Sequence, residues 1–269
     1  MPDLAVAVEP LDPILFGDNR AGSLADQDPS PANLYGAIGG RIAACLGACG
    51  EGSWANALPV LGPFEPRLDR SSYARAALRG YALADAHGRP WFPRPLHFPV
   101  EAAGAGRFAL PLLRPAEAGA LSSLPAGSRP LVPTLGRERE AEEDEGELWV
   151  DEPLLGDLLA GHDHPAGDLG SNLHEREAFY LPEPRPGLAM QNDTNTAQPG
   201  RLFARPYRRF RSSGEGSRGA GFLAWYRVPG LAGHAPGAFD GTGFLGGDRR
   251  RARFTFAAGE EEPLPEVRE

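Results

Sequence analysis

The chain has 269 residues, of which 41% are hydrophobic, and a formal net charge of −9. This composition is typical of a globular protein with one large domain or two smaller ones. Its two cysteines exclude a disulfide framework and a zinc ribbon. Without a signal-peptide pattern or a run of about 18 apolar residues, we expect a cytoplasmic protein that has no contact with a membrane.

The charges are distributed unevenly along the sequence. Between Arg201 and Arg253, eleven arginines stand against three acidic residues, which gives this segment a net charge of +8. The remainder of the chain therefore carries −17, since the total is −9. A local basic segment on an acidic protein is typical of a confined nucleic-acid site.

The first half of the chain predicts a strand, a helix and several short strands. Leu4–Val8 is a short apolar run of the kind that forms a buried strand. Ser30 followed by Pro31 is typical of a helix start, and apolar residues at helical spacing predict a helix from Pro31 to about Cys49. The proline-rich region that follows predicts short strands at Arg79–Ala84, Phe108–Leu113 and Leu131–Val132.

The second half predicts an acidic loop, one helix and more strands. The charged run 137–147 predicts a solvated loop that separates two domains, 1–136 and 148–269. Further predicted elements are an amphipathic helix at Trp149–Ala160, a hairpin that joins Gly187–Met190 to Arg201–Arg205, and strands at Gly221–Val228 and Arg251–Ala257. This order of elements predicts a mixed α+β fold.

A glycine-rich segment with an arginine cluster behind it is the strongest functional pattern. Gly241, Gly243, Gly246 and Gly247 permit close backbone approach, and guanidinium groups at Arg249, Arg250, Arg251 and Arg253 suit phosphate. The spacing matches a dinucleotide fingerprint, but a strand-like segment follows where that motif needs a helix. No lysine follows the glycines, which excludes a Walker phosphate loop. An ordinary turn and an RNA-backbone cradle remain as interpretations.

Other residues could complete an RNA site. The helix start at Ser30 offers free N–H groups to phosphate, and Arg20, Asn33, Tyr35 and Arg41 lie close to it in sequence. Three further aromatic residues interleave with arginines and could stack on bases, namely Tyr207, Phe210 and Tyr226.

No catalytic constellation is evident in the sequence. His162, His164 and His174 lie in or near a polar loop and could form a metal cluster or supply a general acid or base. A solvated loop is the simpler interpretation. We therefore predict a protein that is not an enzyme and needs no cofactor or metal, with an RNA-processing endoribonuclease and a purely architectural subunit as alternatives.

Four motifs together resemble one family of the repeat-associated (RAMP) proteins of CRISPR systems. They are Glu9-Pro10-Leu11-Asp12-Pro13 with Phe16-Gly17-Asp18-Asn19-Arg20, then Pro29-Ser30-Pro31-Ala32-Asn33-Leu34-Tyr35-Gly36, then Gly187-Leu188-Ala189-Met190 with Gly200-Arg201-Leu202-Phe203, and Leu245-Gly246-Gly247-Asp248-Arg249-Arg250. The family is the third Cmr subunit, the 5′-handle-binding member of type III-B effectors. Asp248 stands where the family usually has glutamate, and its members continue well past this loop. A shortened, split or type III-A-like subunit is therefore an alternative.

The resemblance implies a ferredoxin-like, RRM-like RAMP fold with an antiparallel sheet and a glycine-rich loop. It also implies a subunit that binds the 5′ handle of the guide RNA and contacts the large polymerase-like subunit and the backbone RAMP subunits. The expected RNA-binding residues are Asn19, Arg20, Ser30, Asn33, Tyr35, Arg41, Arg201, Arg205, Arg208, Gly243, Gly246, Gly247, Arg249, Arg250 and Arg251. No nuclease activity is expected from such a subunit.

Overall fold

The computed structural model of the chain describes residues 3–15, 31–47, 57–62, 76–94, 101–102, 108–109, 113–115, 131–133, 148–160, 171–190, 197–212, 219–231, 233–246 and 249–259. In chain order the elements are β1 (Asp3–Pro10), α1 (Pro31–Cys45), α2 (Leu58–Leu61), β2 (Ala77–Ala84), β3 (Pro90–Pro93), β4 (Glu101–Ala102), β5 (Phe108–Ala109), β6 (Leu113–Pro115), β7 (Leu131–Pro133), β8 (Leu148–Asp151), α3 (Glu152–Ala160), β9 (Leu173–Glu175), β10 (Tyr180–Met190), β11 (Ala197–Phe210), β12 (Gly221–Arg227), β13 (Gly241–Leu245) and β14 (Arg250–Ala258). Short 3-10 helices lie at Arg176–Ala178, Pro229–Leu231 and Pro236–Phe239.

The chain folds into two compact units. The first joins Met1–Pro90 with Phe179–Glu269, and the second is Trp91–Ala178. This division differs from the predicted domains 1–136 and 148–269. The reason is that β1, near the amino terminus, pairs with both β12 and β14 in the last quarter of the chain.

The sheet of the first unit has a ferredoxin-like core. Its strand order is β13-β14-β1-β12-β2, and neighbouring strands are antiparallel. A helix, α1, connects the parallel but non-adjacent strands β1 and β2, as in a βαββαβ fold. Where that fold has its second helix, the chain has two 3-10 helices and the extra strand β13. The predicted α+β class with a ferredoxin-like antiparallel sheet is confirmed.

One face of this sheet forms the core with α1. Leu4, Val6 and Val8 alternate along β1 and are at most 5% exposed, because alternate residues of a strand share a face. From α1, Leu34, Ile38 and Ile42 are fully buried at helical spacing. The Tyr35 ring lies 5.5 Å from that of Tyr226 on β12, which places α1 over this face.

The second unit is built around β8, which pairs with β3 and β9. Its apolar cluster consists of Leu148, Val150, Leu154, Leu158 and Leu173. The predicted helix at Trp149–Ala160 is wrong for its first residues, which belong to the buried strand β8. The helix starts only at Glu152, because the Asp151 carboxylate accepts the N–H of Leu154 (3.0 Å) in the manner of an N-cap.

Several other predicted elements are found with different limits. The helix begins at Pro31 as predicted and ends at Cys45, and the predicted hairpin is the longer pair β10–β11. The strand predicted at Phe108–Leu113 is divided between β5 and β6, which pair with different partners. The acidic run 137–147 lies outside the described residues.

Candidate nucleic-acid interface

The β10–β11 hairpin gathers arginines on one face. In the antiparallel register, Glu183 lies opposite Tyr207 and Arg185 lies opposite Arg205. Arg209 lies two residues beyond Tyr207 and therefore shares the face. Arg185 and Arg205 thus place two guanidinium groups directly across from each other on this face.

The buried ring of Tyr207 brings a further arginine to this face. The guanidinium carbon of Arg250 on β14 lies 5.3 Å from the ring centroid, and that of Arg185 lies at the same distance. Arg250 also donates from Nη2 to the Tyr207 hydroxyl (3.4 Å). Cations over an aromatic face are attracted by the ring quadrupole. We call the set Arg185, Arg205, Arg209 and Arg250, with Glu183 and Tyr207, the arginine face.

Glu183 is the carboxylate among the six residues of the arginine face, and the nearby Asp12 also interacts electrostatically with Arg209 and Arg250. The Oε2 atom of Glu183 accepts a hydrogen bond from Nε of Arg209. Its Oε1 pairs with Arg185, whose Nη2 lies 2.6 Å away. The hydrogen bond from Arg209 first, and that from Arg185 second, hold the pKa of Glu183 below its ordinary value. The carboxylate is therefore ionised at neutral pH, and the four arginines leave the face with a formal charge of +3.

The glycine-rich turn lies at the same end of the sheet as the base of the hairpin. Arg249 donates its N–H to the Gly246 carbonyl (3.2 Å), and both residues have positive φ, 75° for the glycine and 52° for the arginine. A Cβ on Gly246 would lie 3.7 Å from Ile14. Ile14 in turn exchanges two backbone hydrogen bonds with Arg208 of β11, at 2.9 and 2.8 Å. Ile14, just after β1, therefore connects the glycine-rich turn to β11 of the hairpin.

The first two glycines of the motif serve the protein's own packing. The predicted loop is an edge strand, β13, over Gly241–Leu245. A Cβ on Gly243 would lie 2.9 Å from the buried ring of Phe254, and one on Gly241 would lie 2.5 Å from the Arg41 guanidinium. Arg41, predicted to contact RNA, instead donates to the carbonyls of Phe239 (2.9 Å), Asp240 and Thr242 (3.3 Å).

Two other predicted phosphate ligands are engaged within the protein. Arg208 is 5% exposed, and its guanidinium lies 4.6 Å from the centroid of the Tyr180 ring. Arg251 donates from Nε and Nη2 to the two carboxylate oxygens of Asp12, each at 3.1 Å. The hydrogen bonds from Arg251 hold the pKa of Asp12 below its ordinary value. Of the predicted arginines whose side chains the structure describes, Arg205 and Arg250 belong to the arginine face, and the exposed Arg249 precedes Arg250 in the turn.

The aromatic residues predicted to stack on bases belong to the core instead. Tyr226 is fully buried, and Tyr207 and Phe210 are each 7% exposed. The Phe210 ring lies 5.0 Å from that of Phe222. Among the described residues, Phe244 is an exposed aromatic residue, at 60%, and the sequence did not indicate it.

Arg185 and Arg209 were also missed. The alternation Arg205-x-Tyr207-x-Arg209 would have indicated Arg209, had the segment been interpreted as a strand with a period of two, whereas Arg185 joins the face only through the pairing of β10 with β11. Of the other predicted residues, Asn33 is half-buried near the start of α1 and Arg201 lies in β11. Asn19, Arg20, Ser30 and Gly247 lie outside the described residues.

The histidines do not form a described site. The His174 ring stacks on the buried Trp91 at 4.1 Å, and His162 and His164 lie outside the described residues. In the part of the chain that the structure describes, no group of three or more His, Cys, Asp or Glu could hold a metal ion. Nor does any helix in the described ranges have the length and apolar character to cross a membrane.

The strand order and the arginine face define a ferredoxin-like α+β protein with a local, aromatic-supported basic surface. Residues 6–267 match the family of the CRISPR-associated protein Cas_Cmr3, and the chain belongs to this family. A comparison with curated proteins finds no match.

Two similar solved chains come from cryo-EM structures of type III-B Cmr-beta bound to cognate target RNA, one of them also with AMPPnP. They are 15% and 14% identical to this chain, with TM-scores of 0.46 and 0.44. Each match covers 95% of this chain and 64% of the other, so the chain spans less than two thirds of the length of either.

Proposed function

We propose that the chain is a non-catalytic subunit of a type III-B CRISPR effector complex and binds the 5′ handle of the guide RNA beside the large polymerase-like and backbone subunits. Membership of the Cas_Cmr3 family supports the placement in a CRISPR complex. The observation that carries the RNA assignment is the arginine face, with a charge of +3 on a chain whose total charge is −9.

The chemistry of the arginine face suits a single-stranded phosphodiester. Guanidinium groups offer paired donors to phosphate oxygens, and Arg185 and Arg205 lie directly across from each other on this face. The exposed Arg249 in the adjoining turn can take the next phosphate along the backbone. Because the rest of the chain is acidic, RNA is repelled elsewhere and confined to this end of the sheet.

The test is RNA crosslinking in the assembled complex with Arg205→Ala and with Arg205→Ala/Arg249→Ala. Both side chains are exposed, so the variants should fold. We expect the guide's 5′ handle to crosslink to the wild-type chain and each substitution to weaken the crosslink. Arg89→Ala is the matched control, because it removes one exposed cation, paired with Asp85, from a turn of the same unit. Equal crosslinking by Arg205→Ala and Arg89→Ala would contradict the proposal.

Salt dependence provides a second readout. Each phosphate contact to single-stranded RNA contributes about 0.7 to the slope of log K against log salt. Arg205→Ala should lower this slope by about that amount, and Arg89→Ala should leave it unchanged. The RNA should also remain at full length throughout. Shortening at a fixed position would favour the endoribonuclease alternative instead.

A further inference from the structure

Tyr207 on β11 contacts arginines from two different elements. The guanidinium carbon of Arg185 on β10 and that of Arg250 on β14 each lie 5.3 Å from the centroid of its ring. These two strands belong to different sheets. The ring therefore connects an arginine of the hairpin to an arginine of the ferredoxin-like core.

The ring of Tyr207 is itself held in place. It is only 7% exposed, and close packing around a buried side chain restricts its rotamers. Its low exposure also prevents it from offering a face to a nucleobase, as base stacking would require. Any effect of Tyr207 on RNA must therefore pass through the arginines that it contacts.

Arg250 is bound to Tyr207 in two ways. Its guanidinium lies over the ring, and its Nη2 donates to the hydroxyl at 3.4 Å. An arginine side chain that samples many rotamers loses this freedom when phosphate binds, and contacts that fix the guanidinium beforehand lower that cost. Asp12 also attracts Arg250 electrostatically, and this attraction is the same in every variant of Tyr207.

We propose that Tyr207 is a positioning residue for RNA binding: its ring and hydroxyl hold Arg250 beside Arg185, so that the two guanidinium groups bind the RNA backbone as a pair. The inference rests on the proposed function, because it requires the arginine face to bind RNA phosphate. In this role Tyr207 does not touch the RNA itself, in contrast to the base stacking expected from the sequence.

The test is a set of double-mutant cycles that combine Tyr207→Phe with Arg250→Ala and with Arg185→Ala. Filter binding measures the affinity of the full chain for a labelled single-stranded handle RNA. Tyr207→Phe keeps the ring and removes the hydroxyl that Arg250 contacts. We expect it to weaken binding about two- to fivefold in the wild-type chain and in Arg185→Ala, and to have no effect in Arg250→Ala.

The cycles distinguish the positioning role from a general structural one. If the hydroxyl only stabilised the fold, Tyr207→Phe would weaken binding by the same factor in all three backgrounds. That result, or no loss at all in Tyr207→Phe, overturns the proposal while the RNA assignment stands. If Arg250→Ala itself leaves RNA binding unchanged, the RNA assignment of the arginine face fails at this residue, and the positioning role fails with it.

Salt dependence separates positioning from charge. Tyr207→Phe removes no cation, so the slope of log K against log salt should equal that of the wild type, whereas Arg250→Ala should lower it by about 0.7. A lowered slope in Tyr207→Phe would count against the proposal. Tyr81→Phe is the matched control, because Tyr81 is a half-buried tyrosine of β2 outside the arginine face, and its affinity should not change.

Discussion

Arg41 was predicted to bind RNA phosphate, but in the structure it binds backbone carbonyls of the protein itself. Its position soon after a helix start and its charge suggested a phosphate ligand. The structure instead gives its guanidinium three backbone carbonyls, at Phe239, Asp240 and Thr242. These acceptors lie about 200 residues away in sequence, so no local pattern could have predicted the contact. The glycines beside it admit the side chain because they have no Cβ.

Gly243→Ala tests whether the glycine-rich motif is shaped by internal packing. The new methyl group would lie 2.9 Å from Cε2 of Phe254, a fully buried ring that cannot move freely. We expect a loss of about 1–3 kcal/mol in the free energy of unfolding, measured by denaturant titration. Gly40→Ala is the control, since nothing lies within 4 Å of its Cβ and it is in α1. That variant should gain about 0.5–1 kcal/mol, and equal stability of the two would contradict the packing role.

At the scale of elements, local sequence signals predicted where helices and hairpins form, but they did not predict which strands pair. The start of α1 at Pro31 follows from a helix-capping pattern, and the β10–β11 hairpin follows from a polar turn between apolar segments. The strand β13 was missed because glycines signal loops, and only its pairing with β14 makes it a strand. The arginine cluster was visible in the sequence. The sequence did not show which arginines are paired with carboxylates, because partners such as Asp12 and Arg251 are 239 residues apart.

Glu183→Gln tests the charge balance of the hairpin. Removing the carboxylate raises the formal charge of the arginine face from +3 to +4, so RNA should bind more tightly and with a steeper salt dependence. Arg209 and Arg185 lower the pKa of Glu183, so the wild-type carboxylate remains ionised between pH 8 and pH 5. The difference in affinity between variant and wild type should therefore be constant over this range. It should disappear only as the pH falls through the lowered pKa, where protonated Glu183 resembles glutamine.

A difference that already fades between pH 7 and pH 5 would contradict this assignment of charge. Glu177→Gln is a suitable comparison, because Glu177 is an exposed carboxylate outside the hairpin. Filter binding with a labelled single-stranded handle RNA at several pH values measures both variants.

At the scale of the whole molecule, the sheet of the first unit needs both ends of the chain. β1 lies between β12 and β14, and its buried residues contribute to a core shared with them. The sequence suggested instead a self-contained module in residues 1–136, because the acidic run looks like a linker. Composition indicates where a chain is polar, but not which distant strands pair.

Expression of residues 1–136 alone tests this arrangement. Without β12 and β14, both edges of β1 are unpaired and its apolar residues lose their cover. We expect this fragment to be unfolded or aggregated, with no dispersed amide resonances in an NMR spectrum. The full chain cleaved once within 137–147 should keep its sheet, since the paired strands of the first unit remain present. A folded fragment 1–136 would contradict the shared sheet.

The position of β1 in the middle of the sheet also governs the order of events during synthesis. Leu4, Val6 and Val8 leave the ribosome long before their partners in β12 and β14, which follow about 210 to 250 residues later. At ribosomal speeds of about 5–20 residues per second, this strand waits roughly 10–50 s for its neighbours. During that interval its apolar face is available to chaperones and to aggregation. The sheet of the first unit therefore cannot be completed before β14 has been synthesised.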